Sequence, residues 1–269
     1  MRYIAIPILA YMLVLAGCSD GKQQSQVQAD NAAVANAVAP QEIAPAAKDI
    51  VIDRKDEVLE YSYSWPAVAA AIAPLNQWLQ SHSDDQYAKW RKMAEEAQKD
   101  ARTNDFPFTG YSYQQNWSAV ADTPQVLVME AQGYEFTGGA HGMPFTVSMI
   151  WDKAAGRRLA IKDVLDIGAL EGLVGDAFCK ELDRQRAEKR GGNAKLGGTI
   201  AEFDECVAIT DGEIMPISKN GKALDMLRVV IGPYAAGPYA EGSYEIELPV
   251  DAALIAAVKP AYRGWFGTP

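Results

Sequence analysis

The residues best suited to chemistry sit in one short stretch, Tyr134-Glu135-Phe136-Thr137-Gly138-Gly139-Ala140-His141-Gly142. An imidazole ordinarily titrates near neutral pH, so His141 can act as a general base or as a ligand-binding group. Three glycines within five residues signal positive φ angles or close backbone approach. Three readings stay open at this stretch. It is a shaped hairpin connection whose histidine bonds to backbone, or a binding loop presenting Gly138, Gly139 and His141, or a catalytic site in which Glu135 or Asp152 orients His141. A second candidate is the Gly- and Pro-rich segment 233–242, which carries Tyr234, Tyr239 and Glu241. Amphipathic tyrosines on a rigidified loop suit protein recognition, although an irregular link between strands has the same composition. No nucleophile motif accompanies either segment. The other histidine, His82, is read as a surface residue. Two histidines and the distant pair Cys179 and Cys206 cannot assemble a metal-binding set, so neither metal nor cofactor is expected.

The positioning elements divide the chain into three parts. Residues 1–17 have a basic start, an apolar run and small residues before a cysteine, the layout of an export signal. The stretch Leu15-Ala16-Gly17-Cys18 looks like a bacterial lipobox, which implies that Cys18 is lipidated and becomes the mature N-terminus. The residue after it is Ser19, not Asp, so resemblance to that class implies an outer-membrane anchor facing the periplasm. Residues 18–46 are Ala-, Gln- and Pro-rich without helical or strand periodicity and read as a flexible tether, with a typical reach of roughly 30 Å. The folded part is 47–269. The net charge of the full chain helps to exclude partners: a formal −10 argues against nucleic acid and against an anionic membrane surface. In an exported chain, Cys179 and Cys206 are best read as a disulfide.

Within 47–269, strict alternation places Leu59, Tyr61, Tyr63 and Trp65 on one strand face. These aromatics, with Tyr111, Tyr113 and Trp117, suit either a core or a carbohydrate platform; Leu59 on the same face favours core. A helical stripe follows through Val68, Ile72, Leu75 and Leu79. Ser83 and Gln86 form a capping-box pattern that predicts a break and a second helix. Strands are expected near 108–120, 125–136 and 144–152, then a helix of about 20 residues with Leu170, Val174, Phe178 and Leu182 as its stripe. Its charged tail, 181–190, reads as a solvated end. Further strands near 207–217, 226–231 and 243–248 and a short helix over 251–258 complete an α+β class. That class is an antiparallel sheet of hairpin-connected strands packed against two long helices.

The motif of residues 134–142 is followed by Gly156-Arg157-Arg158-Leu159 and Lys162-Asp163-Val164-Leu165, and later by Ile231-Gly232-Pro233-Tyr234-Ala235-Ala236-Gly237-Pro238-Tyr239-Ala240-Glu241-Gly242. Over roughly 49–265 this pattern resembles the extracellular RsiV-type domain. That domain is found in a lysozyme-sensing anti-sigma factor, in the N-terminal part of a peptidoglycan deacetylase and in lipoproteins of unknown function. The resemblance implies an envelope domain that recognises a wall-associated partner, peptidoglycan or a lysozyme-like protein, without catalysis. Sigma-factor signalling and deacetylation are not expected to transfer, because neither a sigma-binding segment nor a deacetylase domain is seen in the sequence. The competing expectation is a hydrolase that acts on envelope material through His141 and a carboxylate.

Overall fold

The alternation at 59–65 becomes strand β2 (Leu59–Trp65), with its four apolar residues buried and Glu60, Ser62 and Ser64 turned to the opposite face. The computed structural model describes residues 47–198 and 200–268. Cys18, the signal and the whole tether over 18–46 lie outside the described residues. β2 pairs antiparallel with β1 (Ile50–Lys55) on one side and parallel with β3 (Tyr111–Asp122) on the other. A parallel pair needs a long crossover; here it is the short helix α1 (Ala67–Ala70) followed by the 31-residue α2 (Ala73–Thr103). Strands β4 (Val126–Phe136), β5 (Met143–Asp152) and β6 (Arg157–Leu159) extend the sheet by antiparallel pairing in the order β1-β2-β3-β4-β5-β6.

The helix break expected near Ser83 does not occur. Leu75, Leu79, Ser83, Trp90, Ala94 and Ala101 form one buried stripe along α2. Ser83 occupies that stripe because the Tyr61 phenol reaches it, 2.7 Å from its carbonyl and 3.0 Å from its hydroxyl. A residue that favours caps locally is thus kept inside a helix by a sheet partner. α2 seals Tyr61, Tyr63, Trp65, Tyr113, Trp117, Leu127 and Met129 into one apolar core, so the aromatic clusters serve packing.

The remaining strands form a second, three-stranded antiparallel sheet, β7 (Glu213–Ile217), β8 (Met226–Ile231) and β9 (Tyr244–Pro249). The expected strand over 207–217 is shorter than its apolar run, because Ile209–Asp211 form a 3-10 turn whose start is closed by the Asp211 carboxylate on the Ala208 N–H. The small sheet packs on the other face of the large one at β3 to β5. Beyond it lie α4 (Ile167–Lys189), which follows the one-turn α3 (Ile161–Val164), and α5 (Ala252–Ala257). The layers are therefore helix, sheet, sheet, helices, an α+β architecture with two apolar clusters.

β4 is central to both clusters and is buried from Val126 to Ala131, which accounts for its apolar run from Val126 to Met129. The acidic residue of that buried stretch, Glu130, faces the small sheet, where Arg228 of β8 meets it at 2.7 Å. On the far side of β5, β6 covers only Ile150, Trp151 and Asp152. The exposed edge is guarded further along by Pro144, which has no N–H, and by Glu213, whose carboxylate accepts the Ser148 N–H at 2.8 Å.

Cys179 of α4 and Cys206 are joined by a disulfide with a Cα–Cα distance of 5.5 Å. It pins the glycine-rich segment 191–206 to the helix. Replacing both cysteines by serine is expected to lower stability by about 3 kcal/mol on loop-closure entropy, read as a fall in denaturant midpoint. No helix among the described residues is long and apolar enough to cross a membrane.

Candidate functional site

The loop between β4 and β5 turns through two glycines in the left-handed region, Gly138 at φ 94° and Gly139 at φ 96°. His141 then comes back toward the strand ends. Gly142 is held by the Tyr134 hydroxyl, which accepts its N–H at 3.0 Å. A Cβ at Gly142 would lie 2.4 Å from the Tyr134 ring and 2.5 Å from the Glu135 carbonyl, so only glycine fits. The Gly142 carbonyl faces the His141 Nδ1 at 3.0 Å and accepts the Tyr239 hydroxyl at 2.9 Å. Because a carbonyl only accepts, the imidazole carries its proton on Nδ1 in this arrangement, and its Nε2 lone pair faces the Tyr234 hydroxyl at 3.3 Å.

Tyr234 and Tyr239 come from the β8–β9 loop. Tyr239 stacks on the His141 ring with centroids 4.0 Å apart, and Tyr234 lies 5.5 Å from Tyr239. Tyr234 is 47% exposed and is one of two non-glycine residues at positive φ among those described, at 69°. Such backbone persists only where the surroundings enforce it; here the Tyr234 N–H donates to the Gly237 carbonyl at 3.0 Å. The two candidate loops are thus one surface, with three aromatic rings in mutual contact and an exposed tyrosine at its rim.

The last turn of α4 holds this surface in place. Arg190 grips the Glu241 carboxylate with Nε at 2.9 Å and Nη2 at 3.0 Å, and also reaches the carbonyls of Phe203 and Ala236. Arg186, fully buried, donates to the Ala236 carbonyl at 3.0 Å. Lys189 donates to the carbonyls of Glu241 and Ser243 and sits 4.0 Å over the Tyr244 ring. Burial alone would raise the Glu241 carboxyl, but hydrogen bonds from Arg190 and Tyr244 and the charge of Arg190 outweigh it and hold it below the ordinary value. Burial, reinforced by Glu241, pushes the Tyr244 phenol up to about 12.

Of the six residues singled out in the sequence, His141, Tyr234 and Tyr239 meet. Gly138 and Gly139 shape the turn and line a different cleft, beside Phe106 and Phe108 near the end of α2. Glu241 lies behind the tyrosines, engaged by Arg190. Neither proposed orienting carboxylate bonds to His141: Asp152 caps the turn after β5 through the N–H groups of Ala154 and Ala155, and Glu135 lies opposite Met143 in the β4–β5 ladder. The charged tail of α4 was not legible as a clamp, although one signal points there. The step of four through Leu170, Val174, Phe178 and Leu182 lands next on Arg186 and Arg190. Among the described residues no group of three or more His, Cys, Asp and Glu side chains could hold a metal ion.

Residues 52–144 match the family described as "Deacetylase PdaC". No curated protein sequence matches the chain. A solved structure of a DUF3298 family member from Bacteroides fragilis superposes with a TM-score of 0.50 at 18% identity, covering 82% of this chain and 97% of its own. A DUF3298 family protein from Pseudomonas aeruginosa gives a TM-score of 0.44, also at 18% identity, covering 82% and 94%.

The chain has the DUF3298 fold. Within it, the PdaC-type match takes in the greater part of β1, then β2 to β4, α2 and the His141 loop, and stops at Pro144. The tyrosine loop and the α4 clamp that complete the candidate surface lie outside that matched stretch. The surface therefore joins a segment with a recognisable family pattern to one read only from this chain's own residues.

Proposed function

We propose that this chain is a lipid-anchored, RsiV-like domain of the bacterial cell envelope that binds a wall-associated partner, a lysozyme-like protein or peptidoglycan, and catalyses no reaction. The observation that carries this reading is the convergence of His141, Tyr234 and Tyr239 from two loops into one exposed aromatic surface with a strained tyrosine at its rim. Tyrosine combines large contact area with a polar tip and suits protein recognition. A net charge of −10 favours a cationic partner over an anionic one. The lipobox-like Cys18, followed by Ser19 rather than Asp, supports an outer-membrane anchor facing the periplasm, and a tether of that composition gives a working radius of roughly 30 Å. The name of the matched family supplies deacetylation for that family; nothing in the His141 surroundings supports it for this chain. The hydrolase reading is weakened by the His141 Nδ1, which donates to a main-chain carbonyl rather than to a carboxylate. A pull-down tests the proposal. Purified full chain is expected to be retained on immobilised lysozyme or on insoluble peptidoglycan, and the triple variant H141A/Y234A/Y239A is expected to be lost from the same support. Absence of retention on both supports would overturn it.

A further inference from the structure

Beside α2, where the sheet continues past β3 toward β5 and β6, a cavity of about 240 Å³ opens that shares no residue with the two loops above. Its walls are aromatic, from Trp78 of α2, Trp117 of β3 and Phe145 of β5. Two of its polar groups, the Gln115 amide nitrogen and the Arg158 guanidinium, are hydrogen-bond donors without an acceptor among the described residues. Gln115 is only 2% exposed, and its Oε1 accepts the Tyr113 hydroxyl. Its amide nitrogen has no partner among the described residues, and no fully enclosed side-chain polar atom there lacks one, so that nitrogen opens into the cavity.

His82, read from the sequence as a surface residue, is fixed in the same wall. The Trp117 indole N–H donates to the Tyr63 oxygen at 2.8 Å, and that phenol faces the His82 Nδ1 at 2.9 Å. The His82 Nε2 has a partner as well, the Gln86 amide nitrogen at 3.4 Å, so both ring nitrogens are engaged within the chain. Burial, with the nearby Arg158 charge, lowers the His82 pKa and keeps the ring neutral. At the mouth, the Arg158 guanidinium lies 4.0 Å over the Trp78 ring. No carboxylate pairs with it among the described residues, and no Asp or Glu lines the cavity. In a chain of net charge −10, an ordered arginine without an acid beside a buried, unpartnered amide is a built acceptor site.

We propose that this cavity binds a carboxylate carried on a small, partly apolar body. The carboxylate would take the Arg158 fork, with the Gln115 amide as a further donor, and the body would pack on Trp117 and Phe145. Two sources share that chemistry, a sugar acid and the C-terminal residue of a peptide, and the volume admits one ring or one residue.

The test titrates the full chain by calorimetry and by ¹H–¹⁵N spectra, with the Gln115 side-chain amide assigned from its loss in Gln115→Leu. Glucuronate and N-acetyl-alanine are the carboxylate probes; glucose, N-acetyl-alaninamide and inorganic phosphate are the controls. Saturation by at least one carboxylate, with a shift of the Gln115 amide, is expected, and which one saturates names the source. The matching neutral compound and phosphate should bind at least tenfold more weakly. Arg158→Gln, exposed and therefore harmless to folding, should raise the Kd at least tenfold, and Tyr239→Ala should leave it unchanged. Failure of both carboxylates to saturate, equal binding of a control, or an unchanged Kd in Arg158→Gln would each overturn the assignment.

Discussion

Replacing Arg228 by methionine lowers the unfolding free energy by about 3–5 kcal/mol, because it strands the Glu130 carboxylate between the two sheets. Glu130 is 3% exposed and Arg228 is its one charged partner among the described residues, while also joining Glu247, which Lys219 holds from the other side. Glu130→Gln costs far less, since the amide needs no counter-charge. The pH dependence separates this from simple loss of packing. Burial already raises the Glu130 carboxyl above its ordinary value, and the charge and hydrogen bond of Arg228 only partly oppose that. A carboxyl raised in the folded state favours the fold below its unfolded pKa and loses that contribution as pH rises through the folded value. Removing Arg228 raises it further. The deficit of Arg228→Met should therefore shrink toward pH 5 and be full at pH 8, measured by denaturant midpoints at both. An equal deficit at both pH values would show that Glu130 is not the stranded group.

The second large effect is expected at Arg190. Arg190→Met removes two donors of the Glu241 carboxylate, leaving it the Tyr244 hydroxyl, and one donor each of the Phe203 and Ala236 carbonyls. With side-chain exposures of 4% for Arg190 and 11% for Glu241, breaking this pair costs about 3–5 kcal/mol. The loss is concentrated in the tyrosine loop, so amide exchange in 234–242 should accelerate more than in β8 and β9, and partner binding should fall with it. The sign with pH is opposite to that of Glu130. The Glu241 carboxyl is held low, so its contribution is present above its ordinary value of 4.5 and fades as pH falls through the lower folded value. Wild-type loop protection, taken relative to the intrinsic exchange rate at each pH, should accordingly fall only in acid. Equal exchange in the two proteins would remove the clamp from the account.

Much of this fold was legible because its strands alternate and its helices carry apolar stripes. Leu59 to Trp65 and Leu170 to Leu182 announced their buried faces through spacing alone, and the short helix expected over 251–258 forms as α5, its first turn capped by Asp251 at the Leu254 N–H. The division into two sheets was not legible, since strand pairing is a long-range matter and the parallel joint between β2 and β3 leaves no local mark. Ser83 misled for the same reason: its cap-forming chemistry is local, whereas the Tyr61 phenol that holds it in α2 lies 22 positions earlier in the chain. His82 passed as a surface residue because its partner, Tyr63, sits on a strand the helix folds over.

At the candidate site, residue types identified His141, Tyr234 and Tyr239, but not their meeting. Their loops are about 90 residues apart in sequence and are brought together by the stacking of β7–β9 on the large sheet. Glu241 looked like part of a binding face because it shares a loop with the tyrosines; its carboxylate instead faces the helix behind them. The clamp residues looked like a solvated tail, since charge is ordinarily exposed, and only the step of four from Leu182 pointed inward.

The central claim is that the surface formed by His141, Tyr234 and Tyr239 is where this domain meets its partner. The most direct measurement is the Kd of full chain for lysozyme and for soluble peptidoglycan fragments, compared between wild type and Tyr239→Ala with melting curves recorded on both. Loss of the ring that stacks on His141 is expected to weaken binding to the true partner about tenfold to a hundredfold, as for an aromatic anchor worth 1.5–3 kcal/mol, while the fold stays intact. Wild-type binding that is unchanged in Tyr239→Ala, or no binding to either partner, would contradict the account.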